Sequence, residues 1–151
     1  MEGLSERALE RFTARARQAA GLRTPVNVVL TTSRKVRALN RVFRGKDEAT
    51  DVLSFPALPG PANDVAGDIV ISAEVARRSA QQLGHAAAAE IKILILHGVL
   101  HLAGYDHETD GGRMARKEAR LRRELRLPVS LIERTQPGAA VPQKAGRRGK
   151  R

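Results

Sequence analysis

Helices and strands are interspersed along this sequence, a pattern that predicts an α+β domain with several helices packed on a small mixed β-sheet. Two further observations support this prediction: two helices run consecutively before the C-terminal stretch, and the first of them is apolar nearly all round. The chain of 151 residues is long enough for one domain with a buried core. We place that domain at residues 1–136 and a disordered basic tail at residues 137–151.

Three elements are predicted in the N-terminal part of the chain. Ser5 can cap a first helix that Gly21 ends, and its apolar stripe comprises Leu9, Phe12, Ala16 and Ala19. The β-branched segment Val26–Thr32 predicts a strand. Ser33 can cap a second helix, in which apolar side chains recur at helical spacing at Val36, Leu39, Val42 and Phe43.

Two more strands and three more helices complete the prediction. The strands are Thr50–Pro56 and Gly67–Ser72, with a loop rich in Pro and Gly between them. The helices are Ser72–Leu83, about Ala86 to Ala103, and roughly Asp110 to Leu127. The middle helix is apolar from Ile91 onward, so we expect it to be central and buried.

Composition excludes several classes of protein. The chain has no cysteine, which rules out disulfide frameworks and Cys-ligated metal sites. Its three Phe, one Tyr and no Trp argue against folds that stack bases on several exposed rings. The formal net charge of +11 points to a polyanionic partner. Because neither a signal peptide nor a membrane-spanning run is visible, we expect a cytoplasmic protein with no membrane partner.

Three of the four histidines lie in the segment HGVLHLAGYDH, residues 97–107. His97 and His101 are four residues apart on a predicted helix, so their rings point the same way, within about 40°. Gly104 can end the helix and turn the chain back, which lets His107 approach the same point. Three imidazoles with an open fourth position are typical of a catalytic zinc site, although nickel, cobalt and copper suit the same ligands.

The same histidine spacing occurs in zinc proteases of the metzincin type. Those enzymes place a Glu directly after the first His to serve as the general base. Here that position is Gly98, which cannot transfer a proton. Peptide hydrolysis by a zincin-like metalloprotease is therefore a distant alternative.

Three segments, in this order, resemble the motifs of the YbeY family of bacterial ribosomal RNA maturation factors. They are RGKDEATDVLSFP (Arg44–Pro56), GDIVIS (Gly67–Ser72) and HGVLHLAGYDH. The resemblance implies an α+β fold and a single-strand-specific, metal-dependent endoribonuclease that acts in 16S rRNA 3′-end maturation and ribosome quality control. It also implies that His97, His101 and His107 bind one zinc ion, and that Arg44 is a functional basic residue beside it.

The expected mechanism is attack of a zinc-bound water on an RNA phosphodiester, with Arg44 offsetting charge on the phosphate. Arg44 and His101 are thus the candidate catalytic residues. Non-catalytic ribosome assembly remains open as an alternative, with the metal holding the fold and basic faces binding rRNA. In either case the partners are ribosomal RNA, the small subunit and ribosome-associated proteins.

Other polar residues near these motifs have supporting roles in our interpretation. Asp106 either orients a ligand imidazole or caps the following turn. Asp51 and Ser54 form local hydrogen bonds and help to place Arg44, whereas Tyr105 packs over the helix end. The last helix carries a basic face at i, i+3, i+4 and i+7 that predicts an RNA-backbone track, formed by Arg113, Arg116, Lys117 and Arg120.

Overall fold

The computed structural model describes residues 4–48, 50–57, 65–105 and 111–128, and in these ranges five helices surround a three-stranded mixed sheet. This architecture confirms the predicted α+β class. The strands are β1 (Val26–Thr31), β2 (Val52–Pro56) and β3 (Gly67–Ser72). The helices are α1 (Glu6–Ala20), α2 (Ser33–Arg44), α3 (Ala73–Leu83), α4 (Ala87–Leu102) and α5 (Arg113–Glu124).

The central strand of the sheet is β3, in the order β1-β3-β2. It runs parallel to β1, with Val28 opposite Ile69, and antiparallel to β2, with Val52 opposite Ile71. Side chains alternate between the two faces of a strand, so Ile69 and Ile71 point to one face and Val70 to the other. Five of the six β3 residues are buried because both faces are covered.

Each face of the sheet has its own hydrophobic cluster. On one face Val36 of α2 packs against Leu53 and Val70. On the other face Ile69 and Ile71 join the main core, to which α1, α3, α4 and α5 all contribute. Thus α2 covers one face of the sheet, and α4 lies against the opposite face.

The predicted central helix is confirmed. Nine of the sixteen residues of α4 are buried, and they occupy all sides of the helix. A Cβ atom on Gly98 would lie 2.9 Å from side-chain carbons of Ile69, so the absence of a side chain lets α4 approach β3 closely. Gly104 takes a positive φ of 104° just after the helix, as its place in the sequence predicts.

Local capping predictions are right in two cases and wrong in one. Ser5 Oγ accepts a hydrogen bond from Ala8 N, and Ser72 Oγ accepts one from Val75 N, both at 3.1 Å. The cap of α2 is Thr32 rather than Ser33, because Thr32 Oγ1 accepts a hydrogen bond from Lys35 N at 3.1 Å, while the Ser33 N–H donates to Glu74 Oε1 at 2.6 Å. The first strand therefore ends at Thr31, one residue earlier than predicted.

The apolar repeat predicted for α2 is only half buried. Val36 is in the core, but Val42 and Phe43 are 69% and 64% exposed. Six helical steps place Val42 roughly 120° away from Val36, facing solvent. Phe43 does share the face of Val36, but it lies on the last turn of the helix. Among the described aromatic contacts, it meets only the half-buried ring of Phe55. The buried position in the last two turns is instead Asn40, whose Nδ2 donates to the Glu48 carbonyl at 3.0 Å.

Two predicted elements are longer than the observed ones. The second strand begins at Val52 rather than Thr50. The last helix begins at Arg113 because Gly111 and Gly112 have positive φ, and it ends at Glu124 shortly before Arg126, which has a φ of 61°. Its predicted start at Asp110 and the predicted tail at residues 137–151 lie outside the described residues.

None of the described helices is both long and apolar enough to cross a membrane unaided. Taken together, α3 and α4 have the length and composition of a membrane span, but the two helices are bent by 113° relative to each other.

Candidate metal and RNA site

The imidazoles of His97 and His101 converge on one side of α4. Their Nε2 atoms are 3.2 Å apart, and the rings meet edge to face at 80° with centroids 4.7 Å apart. Two nitrogens that bind one tetrahedral zinc ion at 2.0–2.1 Å are separated by about 3.3 Å. The observed distance therefore fits two ligands of one metal ion, and it equally fits a hydrogen bond between the two rings when one of them carries the proton.

Glu118 on α5 sets the orientation of His97. Its Oε1 lies 3.0 Å from His97 Nδ1, and its Oε2 accepts a hydrogen bond from Arg122 Nη2 at 2.6 Å. When Nδ1 donates its proton to this carboxylate, the lone pair of a neutral His97 is on Nε2, the nitrogen that faces His101. Carboxylates commonly hold metal-binding histidines in this way.

The charge on Glu118 is stabilised by its neighbours. Burial raises the pKa of this carboxyl. Electrostatic attraction to Arg122 and His97, together with hydrogen bonds from both, outweighs burial and holds the pKa well below its ordinary value. Glu118 is therefore ionised at neutral pH and can accept a hydrogen bond from His97 Nδ1 there.

Glu118 and Arg122 were not among the residues predicted for the site. The available signal was weak: Glu118 is one of two acidic residues in a strongly basic helix and stands four residues before an arginine. Such a pair is usually a surface ion pair, and α5 is predicted from sequence only as a basic face. The packing of α5 on α4 is what brings Glu118 to His97.

The third predicted ligand, His107, and its neighbour Asp106 lie outside the described residues. The chain leaves α4 in their direction through a tight reversal, in which Tyr105 N donates to the Leu100 carbonyl at 3.0 Å. Within the described ranges, no group of three or more His, Cys, Asp or Glu side chains is arranged to hold a metal ion. A three-histidine site thus requires His107 and stays a prediction.

Tyr105 packs against the core at the end of α4, as expected. Its ring is half-buried, and the guanidinium of Arg113 lies over it, with Cζ 5.2 Å from the ring centroid. This contact joins the segment just after α4 to the start of α5. Arg113, the first cation of the predicted RNA track, is therefore held by the ring of Tyr105, which belongs to the histidine segment.

The predicted RNA track lies on the outer side of α5. Arg113, Arg116 and Arg120 are exposed, whereas Lys117 is half-buried. Two of these cations have local partners: Arg116 donates to the Gly111 carbonyl at 3.3 Å, and Arg120 lies 3.5 Å from Glu124. The inner side of the helix carries the buried residues Met114 and Leu121 together with Glu118 and Arg122.

Arg44 is the last residue of α2 and is exposed. Among the described contacts, none joins its side chain to Asp51 or Ser54. Asp51 bonds locally: its backbone carbonyl accepts from Ser72 N at 2.9 Å, and Oδ1 lies 3.5 Å from Thr50 Oγ1. Ser54 is half-buried and pairs with Ile69 in the sheet, on the face that α4 covers. Their predicted role in placing Arg44 stays a prediction.

His85, the fourth histidine of the chain, lies outside the histidine segment, and its side chain is 13% exposed. Its Nε2 lies 2.7 Å from Oε1 of Glu90, a buried carboxylate in the first turn of α4. His85 precedes Ala86, the N-cap of α4, so Glu90 in the first turn of the helix is within reach of its ring. The pair is a buried polar contact at the opposite end of α4 from His101.

Comparison with known proteins places these features in a family. The family model described as "Endoribonuclease YbeY" matches residues 1–126. A protein of that name from Koribacter versatilis is 54% identical over 151 residues, covering all of this chain and 95% of the relative. Another from Solibacter usitatus is 50% identical over 129 residues, covering 85% of each chain. One from Helicobacter pylori strain 26695 is 48% identical over 111 residues, covering 74% and 79%.

A solved structure has the same fold. The solution structure of TM1509 from Thermotoga maritima aligns with a TM-score of 0.58 and 31% sequence identity, covering 82% of this chain and 85% of that one.

Proposed function

Because the chain belongs to the YbeY family of endoribonucleases, we propose that it is a metal-dependent endoribonuclease that cleaves single-stranded RNA in the 3′-end maturation of 16S rRNA and in ribosome quality control. The observation that carries the proposal is the convergence of His97 Nε2 and His101 Nε2 at 3.2 Å, backed by the Glu118 carboxylate. The family supports an RNA substrate, and the small-subunit partner is part of the proposal, motivated by the resemblance of the three motifs.

His97, His101 and His107 would hold one zinc ion, and the described pair fits this role by its nitrogen separation. A bound zinc ion supplies a Lewis acid and lowers the pKa of water to about 7, so that no carboxylate base is needed. Other transition metals with a preference for imidazole would suit the same nitrogens.

The residues around the histidines prepare them for this role. Glu118 fixes His97 in the tautomer that presents Nε2, and Arg122 compensates the carboxylate charge within the fold. The outer face of α5 supplies cations along which an RNA backbone would run, and binding through it would weaken as salt rises.

Arg44 would bind the phosphate and offset the charge that develops on its oxygens during cleavage. It is exposed at the end of α2, and its planar guanidinium can donate two hydrogen bonds to one phosphate. As a candidate catalytic residue it should affect the rate of cleavage more than the stability of the fold.

A protease function has less support. The position at which zinc proteases carry the general base is Gly98, which is buried against Ile69 with no room for a side chain. A glutamate there could not be accommodated without moving α4 away from the sheet.

The test is cleavage of a small-subunit rRNA fragment with a single-stranded 3′ extension by wild type, His101→Ala and Gln81→Ala purified in parallel. Gln81 is exposed on α3 and serves as the matched control. We expect wild type and Gln81→Ala to cut at the same position and His101→Ala not to cut. Equal cleavage by all three would indicate a contaminating nuclease. Binding without cleavage by wild type would favour a non-catalytic assembly factor.

A further inference from the structure

The last turn of α2 exposes the ring of Phe43 beside the half-buried ring of Phe55, and we call these two residues the Phe43 patch. Phe43 is 64% exposed and meets the Phe55 ring edge to face, with centroids 5.4 Å apart. That contact restrains one side of the Phe43 ring and leaves most of its surface open to solvent. A ring that is fixed on one side and open elsewhere can accept a flat partner with little loss of side-chain entropy.

The surroundings of the patch are strongly basic. Within its twelve residues α2 has no acidic side chain, and it exposes five basic ones: Arg34, Lys35, Arg37, Arg41 and Arg44. Arg37 is paired with Asp47 at 2.8 Å. Among the described residues, the other four cations have no carboxylate within 4.0 Å. The nearest of these cations in the sequence is Arg44, about 100° from Phe43 around the helix, whereas Arg41 lies about 160° away.

We infer that the Phe43 patch is a base-stacking site for single-stranded RNA, with Phe43 stacking on one base and Arg44 contacting an adjoining phosphate. Aromatic stacking beside a basic groove is how proteins hold single strands without reading their sequence. Phe43 directly precedes Arg44, so a strand held there would lead to the candidate catalytic arginine. The inference rests on the proposed function for its choice of RNA as the ligand.

Charge also argues against a second copy of this chain as the occupant of the patch. In a symmetric dimer the same surface meets itself, so the cations of the two α2 helices would face one another. Such like-charge contact is unfavourable, and this helix carries no acidic side chain to offset it. A single-stranded RNA offers negative phosphates to the cations of α2 and flat bases to the ring of Phe43.

The test compares equilibrium binding of two labelled probes, a short oligoadenylate and an abasic ribose-phosphate strand of the same length. We expect Phe43→Ala to weaken binding of oligoadenylate about fivefold or more and to leave binding of the abasic strand unchanged. The dependence of affinity on salt should stay the same, because no phosphate contact is lost. Phe43→Tyr should restore binding, and Val42→Ala, an equally exposed neighbour without a ring, should bind as wild type does.

Arg44→Ala should weaken binding of both probes alike and reduce their salt dependence. Unchanged oligoadenylate affinity in Phe43→Ala would overturn the inference, and so would self-association of wild type that Phe43→Ala abolishes. Cleavage is scored separately on the rRNA fragment. Cleavage without Phe43-dependent binding overturns the stacking site alone, whereas Phe43-dependent binding without cleavage by wild type overturns only the nuclease function.

Discussion

At the scale of single residues, the site depends on a carboxylate on one helix that orients an imidazole on another. Glu118 and His97 are 21 positions apart, and their contact of 3.0 Å joins α5 to α4. The role of Glu118 is to position His97, and its removal should be visible in metal affinity before it is visible in the fold.

Replacing Glu118 by Gln should lower zinc affinity roughly 10- to 100-fold, because the amide no longer holds His97 in the tautomer that presents Nε2. The measurement is zinc titration against a competing chelator. Glu124→Gln is the matched control, since it removes an exposed carboxylate paired with Arg120 on the same helix. Equal affinities for the two variants would contradict the positioning role.

The same carboxylate should make stability depend on pH in the metal-free protein. The pKa of Glu118 is lower in the folded chain than its ordinary value of 4.5, so folding favours the ionised form. Its contribution is complete above that ordinary value and is lost as the pH falls through the lower folded-state pKa. Wild type should therefore exceed Glu118→Gln in free energy of unfolding at neutral pH, and urea titrations should show this difference shrinking on acidification. A difference that grows as the pH falls would have the wrong sign.

At the scale of secondary-structure elements, the contact of α4 with β3 determines where the histidines lie. Gly98 is next to His97, and its missing side chain is what allows the helix to rest on Ile69. A change at this contact should move the histidines together with the helix backbone.

Gly98→Ala should destabilise the protein by about 1–3 kcal/mol through overpacking. This outcome is opposite to the usual gain of about 1 kcal/mol for Gly→Ala inside a helix. Chemical denaturation would measure it. Adding Ile69→Ala should make the Gly98 substitution less costly than it is in wild type, because the colliding carbons are gone. Additive effects of the two changes would argue against a direct clash.

At the scale of the whole molecule, metal binding and folding should be linked. The proposed site joins α4, α5 and the segment between them, so an ion bound there stabilises the folded chain and not the unfolded one. Wild type should show a rise in melting temperature on addition of zinc and lose it with a chelator. His101→Ala should show no such rise. A similar rise in both proteins would indicate that zinc binds elsewhere.

The α+β class, the capping by Ser5 and Ser72, the buried α4 and the shared side of His97 and His101 could all be predicted before the fold was known. These features depend on residues a few positions apart, since helical spacing and caps are local. The exposure of Phe43, the hydrogen bond from Ser33 N to Glu74 and the Glu118–His97 contact could not. They depend on where one element meets another: Phe55 at the end of the sheet, Glu74 at the start of α3, and α5 against α4. Contacts between distant segments depend on long-range packing, and no local pattern in a single chain records which faces will meet.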